Sequence, residues 1–212
     1  PQLEPIFAES QAEIPAITKI LLGSGNFIAN WWLAILIVLI ALIFLTLDYF
    51  STAEGKIVLD EVRLRTPVIG DLYKKLYVAR FAESSGVLIR GGIPIAQALE
   101  ISGHTIGSLI YRDILHEIAE SVRGGQLMSQ ALGEHEDYFP PLVSQMVSVG
   151  ETTGKLESLL SRISNFYTRE VDDAISNMVE LIQPALMVVI GVLVGLLFAA
   201  VLLPIYNLAR VF

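Results

Sequence analysis

Two stretches of this chain carry no charge. From Ile20 to Leu47, and again from Leu181 to Ala209, there is no Asp, Glu, Lys, Arg or His. Each run exceeds the roughly 20 apolar residues that a helix needs to cross a bilayer. The stretch WWLAILIVLIALIFL (Trp31–Leu45) has no polar face, whereas a helix of a soluble protein keeps one. Trp31 and Trp32 open the first run, and Tyr49 and Phe50 close it, where interfacial aromatic residues belong. The pattern predicts transmembrane helices over residues 28–49 and 181–206, with a loop over 1–27, a tail over 207–212 and a separate domain over 50–180. The first span is not a signal peptide: a long mixed segment precedes it and no small-residue cleavage site follows. The chain starts PQLEP without a methionine and is expected to be part of something longer.

Between the spans the apolar positions follow helical spacing, and strand-type alternation is nowhere sustained. Leu72, Leu76, Phe81, Val87 and Leu88 mark one helix, with small Ala and Ser residues between them. Gly91 and Gly92 stop it, and Pro94 restarts the next, as proline suits a first helical turn. Further helices are predicted over Ile95–Ser102, Ser108–Val122 and Ser129–Gly133, with breaks at Gly103–Gly107, Gly124–Gly125 and Glu134–Pro141. The expected domain is an antiparallel bundle of about six short helices joined by tight turns.

The segment after Gly154 differs. Leu156, Leu159, Leu160, Ile163, Phe166, Tyr167, Val171, Ala174, Ile175, Met178, Val179 and Ile182 recur at spacings of three and four, one apolar stripe that runs without a break into the second span. Gln183-Pro184 is expected to kink this helix rather than end it. About 50 residues at 1.5 Å each predict a rod on the order of 75–80 Å, able to couple the middle domain to the membrane.

Composition agrees. The chain is 53% hydrophobic and 17% charged, against about 25% charged in ordinary soluble domains. Lys56, Arg63, Arg65, Lys74, Lys75 and Arg80 follow the first span, and only Lys19 precedes it. Arg162 and Arg169 precede the second span, and Arg210 follows it. Basic flanks resist translocation, so the middle domain is predicted cytoplasmic. Residues 91–180 hold 13 acidic and 5 basic residues, which speaks against nucleic-acid binding. The basic stretch can meet lipid headgroups or an acidic partner, or serve only as an orientation signal. With no cysteine there is no disulfide framework and no thiolate chemistry.

Candidate chemistry is thin. SVGETTGKLESLL (Ser148–Leu160) looks like a phosphate loop, but Gly150 and Gly154 enclose three residues instead of four, and Leu156 sits where the hydroxyl belongs. Capping accounts for it: Gly150 ends a helix, Thr152 or Thr153 caps the next, and Glu157 adds charge to its first turn. HEIAE (His116–Glu120) lacks the second histidine of a zinc motif, and EHED (Glu134–Asp137) lacks the ligand alternation of a calcium loop. The reading is of a non-enzyme without cofactor, metal or nucleotide. The spans hold no ionisable residue, which argues against the alternative of a membrane transporter or channel subunit. Gly191 and Gly195 form a small-xxx-small pair suited to close helix packing.

ARFAESSGVLIRGGIPIAQALEI (Ala79–Ile101), FPPLVSQMVSVGETTGKL (Phe139–Leu156) and LIQPALMVVIGVLVGLLFAAVLLPIYNL (Leu181–Leu208) resemble the GspF/PilC family, the inner-membrane platform proteins of type II secretion and type IV pilus machines. Pro1–Leu22 is similar to that family's loop between its first and second spans. The resemblance implies an all-α membrane protein, with a six-helix cytoplasmic bundle between two transmembrane helices, in the bacterial inner membrane. It implies a chain holding the second of two cytoplasmic domains with the second and third spans. It further implies a homo-oligomer, contact with a hexameric ATPase, with pilins or pseudopilins, with other inner-membrane assembly proteins and with lipid. Partner-facing or structural candidates are Gly150, Glu151, Gly154, Gln183, Pro184 and Pro204. The family usually has Glu-Pro where this chain has Gln183-Pro184, so any pairing by that carboxylate is in question here.

Overall fold

A computed structural model describes residues 16–67 and 69–209. Among these residues there are helices and no strands. The order is α1 (Ala16–Ser51), α2 (Ala53–Arg65), α3 (Ile69–Arg90), α4 (Ile95–Ile106), α5 (Leu109–Arg123), α6 (Met128–Gly133), α7 (Pro141–Thr153) and α8 (Leu156–Ala209). The chain divides into two compact units, Tyr49–Met178 and the two flanking segments Pro1–Asp48 with Val179–Phe212.

Two windows are long and apolar enough to cross a membrane, one within Ala29–Asp48 and one within Leu156–Ala199, a range that starts in the middle unit. Their apolar side chains are bare: Phe44 is 72% exposed and Val188 67%. Exposing this much apolar surface to water is costly, at roughly 25 cal/mol per Å². The described residues are those of an all-α membrane protein with two long apolar helices that could span a bilayer. α1 starts at Ala16, ahead of residue 28 where the first span was expected to begin, and α8 stays helical through Pro184. The first fifteen residues and the last three, with most of the expected N-terminal loop and the tail, lie outside the described residues.

The middle unit holds six whole helices, α2–α7, and the first turns of α8. Its core is aromatic. Tyr111 is buried between Tyr77 and Phe139, with ring centroids 4.9 and 5.5 Å away, and its hydroxyl donates to the Tyr138 carbonyl at 2.8 Å. Phe81 packs edge-on against Phe139 at 5.2 Å. From α8, Leu156, Leu160, Ile163, Tyr167 and Val171 complete this core. Beyond Val171 the stripe surfaces, and Ile175 and Val179 are exposed.

The structure corrects two sequence expectations here. α3 buries Tyr77, Val78, Phe81, Ala82, Ser85 and Gly86, while Val87 is 61% exposed. The small residues lie on the packing face because α4 and α8 approach closely: Ser85 donates to Ser102 at 2.9 Å, and a Cβ on Gly86 would sit 3.3 Å from Leu160. Gly103 does not break α4, which continues to Ile106 and ends only at Gly107, in the left-handed region at φ 88°. Gly103 instead lets α5 pack in, since a Cβ there would meet the Arg112 backbone at 3.4 Å. The basic residues after the first span divide between α2, with Lys56, Arg63 and Arg65, and α3, with Lys74, Lys75 and Arg80, and α2 adds a buried carboxylate. This carboxylate, on Asp60, accepts from the Leu109 amide at 2.7 Å and helps to start α5.

Candidate functional site

Three of the six candidate residues meet at the corner between α7 and α8. The sequence expectation that Gly150 ends α7 is not met: the helix runs to Thr153. Gly154 is the C-cap, at φ 68°, and the Lys155 amide closes the turn by donating to the Gly150 carbonyl at 3.0 Å. A left-handed residue at this position favours glycine, which has no Cβ to clash. Gly150 is buried for a different reason. A Cβ on it would stand 3.0 Å from Leu156 Cα and 3.2 Å from Leu156 Cδ1. Its missing side chain is what allows the start of α8 to fold back onto α7.

Thr152 and Thr153 do not cap α8, contrary to expectation. Their hydroxyls donate back to the Ser148 and Val149 carbonyls, at 2.8 and 2.7 Å, because α7 is still helical where they stand. Glu157 does lie in the first turn of α8.

Glu151 reaches across to another helix. Its carboxylate accepts from the Met128 amide at 2.7 Å, from the Ser129 amide at 3.3 Å and from the Ser129 hydroxyl at 2.6 Å. These are the first residues of α6, whose own N-cap position, Leu127, carries no capping side chain. A helix start leaves its first amides without intrahelical partners, and a carboxylate there is favoured by both hydrogen bonding and the helix dipole. Glu151 therefore caps α6 from outside and ties it to the α7–α8 corner. The sequence signal was only a polar residue beside Gly150. Nothing local to residues 127–129 announced the missing cap's replacement 23 residues downstream.

The other candidates belong to the flanking unit. Gln183 and Pro184 are exposed on α8. Pro204 falls in the same helix, with its side chain outside those described. The polar motifs of the middle unit do not converge. His116 turns to Glu100, at 2.9 Å, and not to Glu120, which pairs with Arg123. His135 lies 3.7 Å from Glu117, and Glu134 accepts from Gln126 at 2.8 Å.

Burial pushes the phenols of Tyr77, Tyr111 and Tyr167 above their ordinary range. Hydrogen bonds to Asp71 and Glu170, at 3.0 and 3.1 Å, hold the Lys75 ammonium to higher pH. These are groups locked in their native protonation states, not ones poised for proton transfer near neutrality.

The corner shapes the turn and caps α6, and sequence comparison supplies the lineage. Residues 81–204 match the family model described as type II secretion system protein F. The chain belongs to that family. The match takes in the Glu151 corner, α7 and most of α8. Among curated relatives, the type IV pilus assembly protein PilC of Thermus thermophilus is 34% identical over 208 residues, covering 98% of this chain and 51% of the relative. PilC of Pseudomonas aeruginosa is 31% identical, covering 100% of this chain and 56% of the relative. The type II secretion system protein F of the same organism is 29% identical, at 98% and 51%. The chain thus spans about half the length of the curated relatives it matches.

Proposed function

We propose that this chain is part of a non-catalytic platform in the bacterial inner membrane, which couples a hexameric cytoplasmic ATPase to the assembly of pilin or pseudopilin subunits. The observation that carries this reading is the family match over residues 81–204, extended by relatives named for pilus assembly and type II secretion across nearly the whole chain. The excess of Lys and Arg after the first span supports a cytoplasmic middle unit. In this reading ATP is bound and hydrolysed by the partner. α8, which starts against Gly150 and continues into an apolar span, carries displacement of the bundle towards the membrane. Glu151 keeps α6 in step with that helix. Gln183, Pro184 and Pro204 stand where membrane-embedded subunits or a second copy of the chain would be met.

Site-specific photo-cross-linking in the intact, full-length protein tests this. Probes on the exposed residues Val149 and Arg162 are expected to capture a secretion or pilus ATPase, and deletion of residues 51–180 is expected to abolish pili or secretion. Absence of any ATPase adduct from the middle unit, with assembly intact after the deletion, refutes it.

A further inference from the structure

The middle unit has a cleft of about 370 Å³ that the assembly role does not use. It lies between α2, the end of α4 and the start of α5, lined by Asp60, Arg63, His104, Gly107, Ser108 and Arg112 among others. Three different helices each contribute one nitrogen-rich side chain to it. Arg63 is held over the Tyr73 ring at 5.4 Å, which limits its freedom. Arg112 is braced by Asp113, which accepts from its Nε and Nη2 at 2.9 and 2.8 Å. His104 is exposed and makes no hydrogen bond or ion pair among the described residues. The carboxylate in the lining, Asp60, is committed: its Oδ2 accepts from the Leu109 amide at 2.7 Å, and its Oδ1 lies 3.9 Å from Arg63.

This concentration of donors is out of keeping with its surroundings. Residues 91–180 carry 13 acidic against 5 basic side chains, and one of those five, Arg112, faces this cleft. Guanidinium groups suit carboxylate and phosphate alike. The arrangement separates the two. A planar carboxylate is served by a single Arg fork, whereas donors arriving from three helices match the several oxygens of a tetrahedral anion. We infer that this cleft binds a phosphate group, held by Arg63 and Arg112 with His104 as a third donor. The group comes either from a soluble phosphate ester or from a phospholipid head.

The experiment uses the whole chain in maltoside micelles and in nanodiscs, with hydrogen exchange and thermal unfolding as readouts. In micelles, inorganic phosphate is expected to slow exchange across residues 103–112 and to raise Tm. Nanodiscs of phosphatidylglycerol are compared with phosphatidylcholine for the same protection. Phosphate acting alone assigns a soluble ligand, and protection by the anionic lipid alone assigns a headgroup. Arg63→Gln with Arg112→Gln is expected to weaken the effect at least tenfold, since each lost charge-assisted bond is worth about that factor. His104→Ala, which removes the donor at an exposed position, is expected to weaken it severalfold while leaving unliganded Tm unchanged. Arg162→Gln, on the exposed surface of α8, is expected to bind as the parent does. The inference is overturned if neither phosphate nor anionic lipid protects residues 103–112, or if His104→Ala and the double variant respond like the parent.

Discussion

Replacing Glu151 with Ala removes three hydrogen bonds at once and leaves the first amides of α6 without a partner. Loss of an N-cap costs about 1–2 kcal/mol, and loss of a negative charge at a helix start adds about 0.3–1 kcal/mol. The Ser129 hydroxyl also loses its acceptor, at 2.6 Å, so the expected total is about 2–3 kcal/mol. For a unit of this size, 1 kcal/mol moves Tm by roughly 3–5 °C, which places the variant on the order of 10 °C below the parent. Glu151→Gln keeps an acceptor and loses the charge, so it should fall about midway. Thermal unfolding by circular dichroism in detergent measures the total. Hydrogen exchange locates it: amides at Met128 and Ser129 should exchange faster, while those at Leu160 and Ile163 in the core should not exchange ahead of global unfolding. Variants within about 1 °C of the parent, or faster exchange spread evenly over the unit, would refute the capping role.

Gly150→Ala is expected to cost about 1–3 kcal/mol in the same unfolding assay, because its methyl group would press on Leu156 at 3.0 Å and force α8 away from α7. Val87→Ser should change stability by less than about 0.5 kcal/mol, while Phe81→Ala should cost about 3–5 kcal/mol, since Val87 is exposed and Phe81 fully buried. Alkaline titration gives a directional test. Tyr77, Tyr111, Tyr167 and Lys75 all hold their protons more tightly when folded. Their contribution is therefore complete below about pH 10, the unfolded range, and is lost as pH rises through the folded values. Tm should fall above about pH 10, and Tyr111→Phe should flatten part of that fall.

Much of the architecture was legible before any coordinates. A charge-free run such as Ile20–Leu47 read as an apolar helix long enough to cross a bilayer, and α1 carries such a window at Ala29–Asp48. Gly91-Gly92 and Pro94 marked a real helix junction, since glycine and proline act on the backbone directly and locally. The α8 stripe was read as far as Ile182, but its burial ends at Val171, and periodicity alone could not say where exposure begins.

What the sequence determined on its own is whatever depends on neighbours in the chain: two apolar helices long enough for a bilayer, the all-helical character of the described residues, and the family to which the markers belong. Tertiary structure decided the meaning of individual residues. Gly103 and Gly150 read as breakers, and each proved to be a place where one helix lies against another. Asp60 and Glu151 gave no local sign of their work, because the amides they cap belong to helices 49 and 23 residues away. A cap supplied within its own turn can be read from spacing. A cap supplied across the bundle exists only once packing has brought the two helices together.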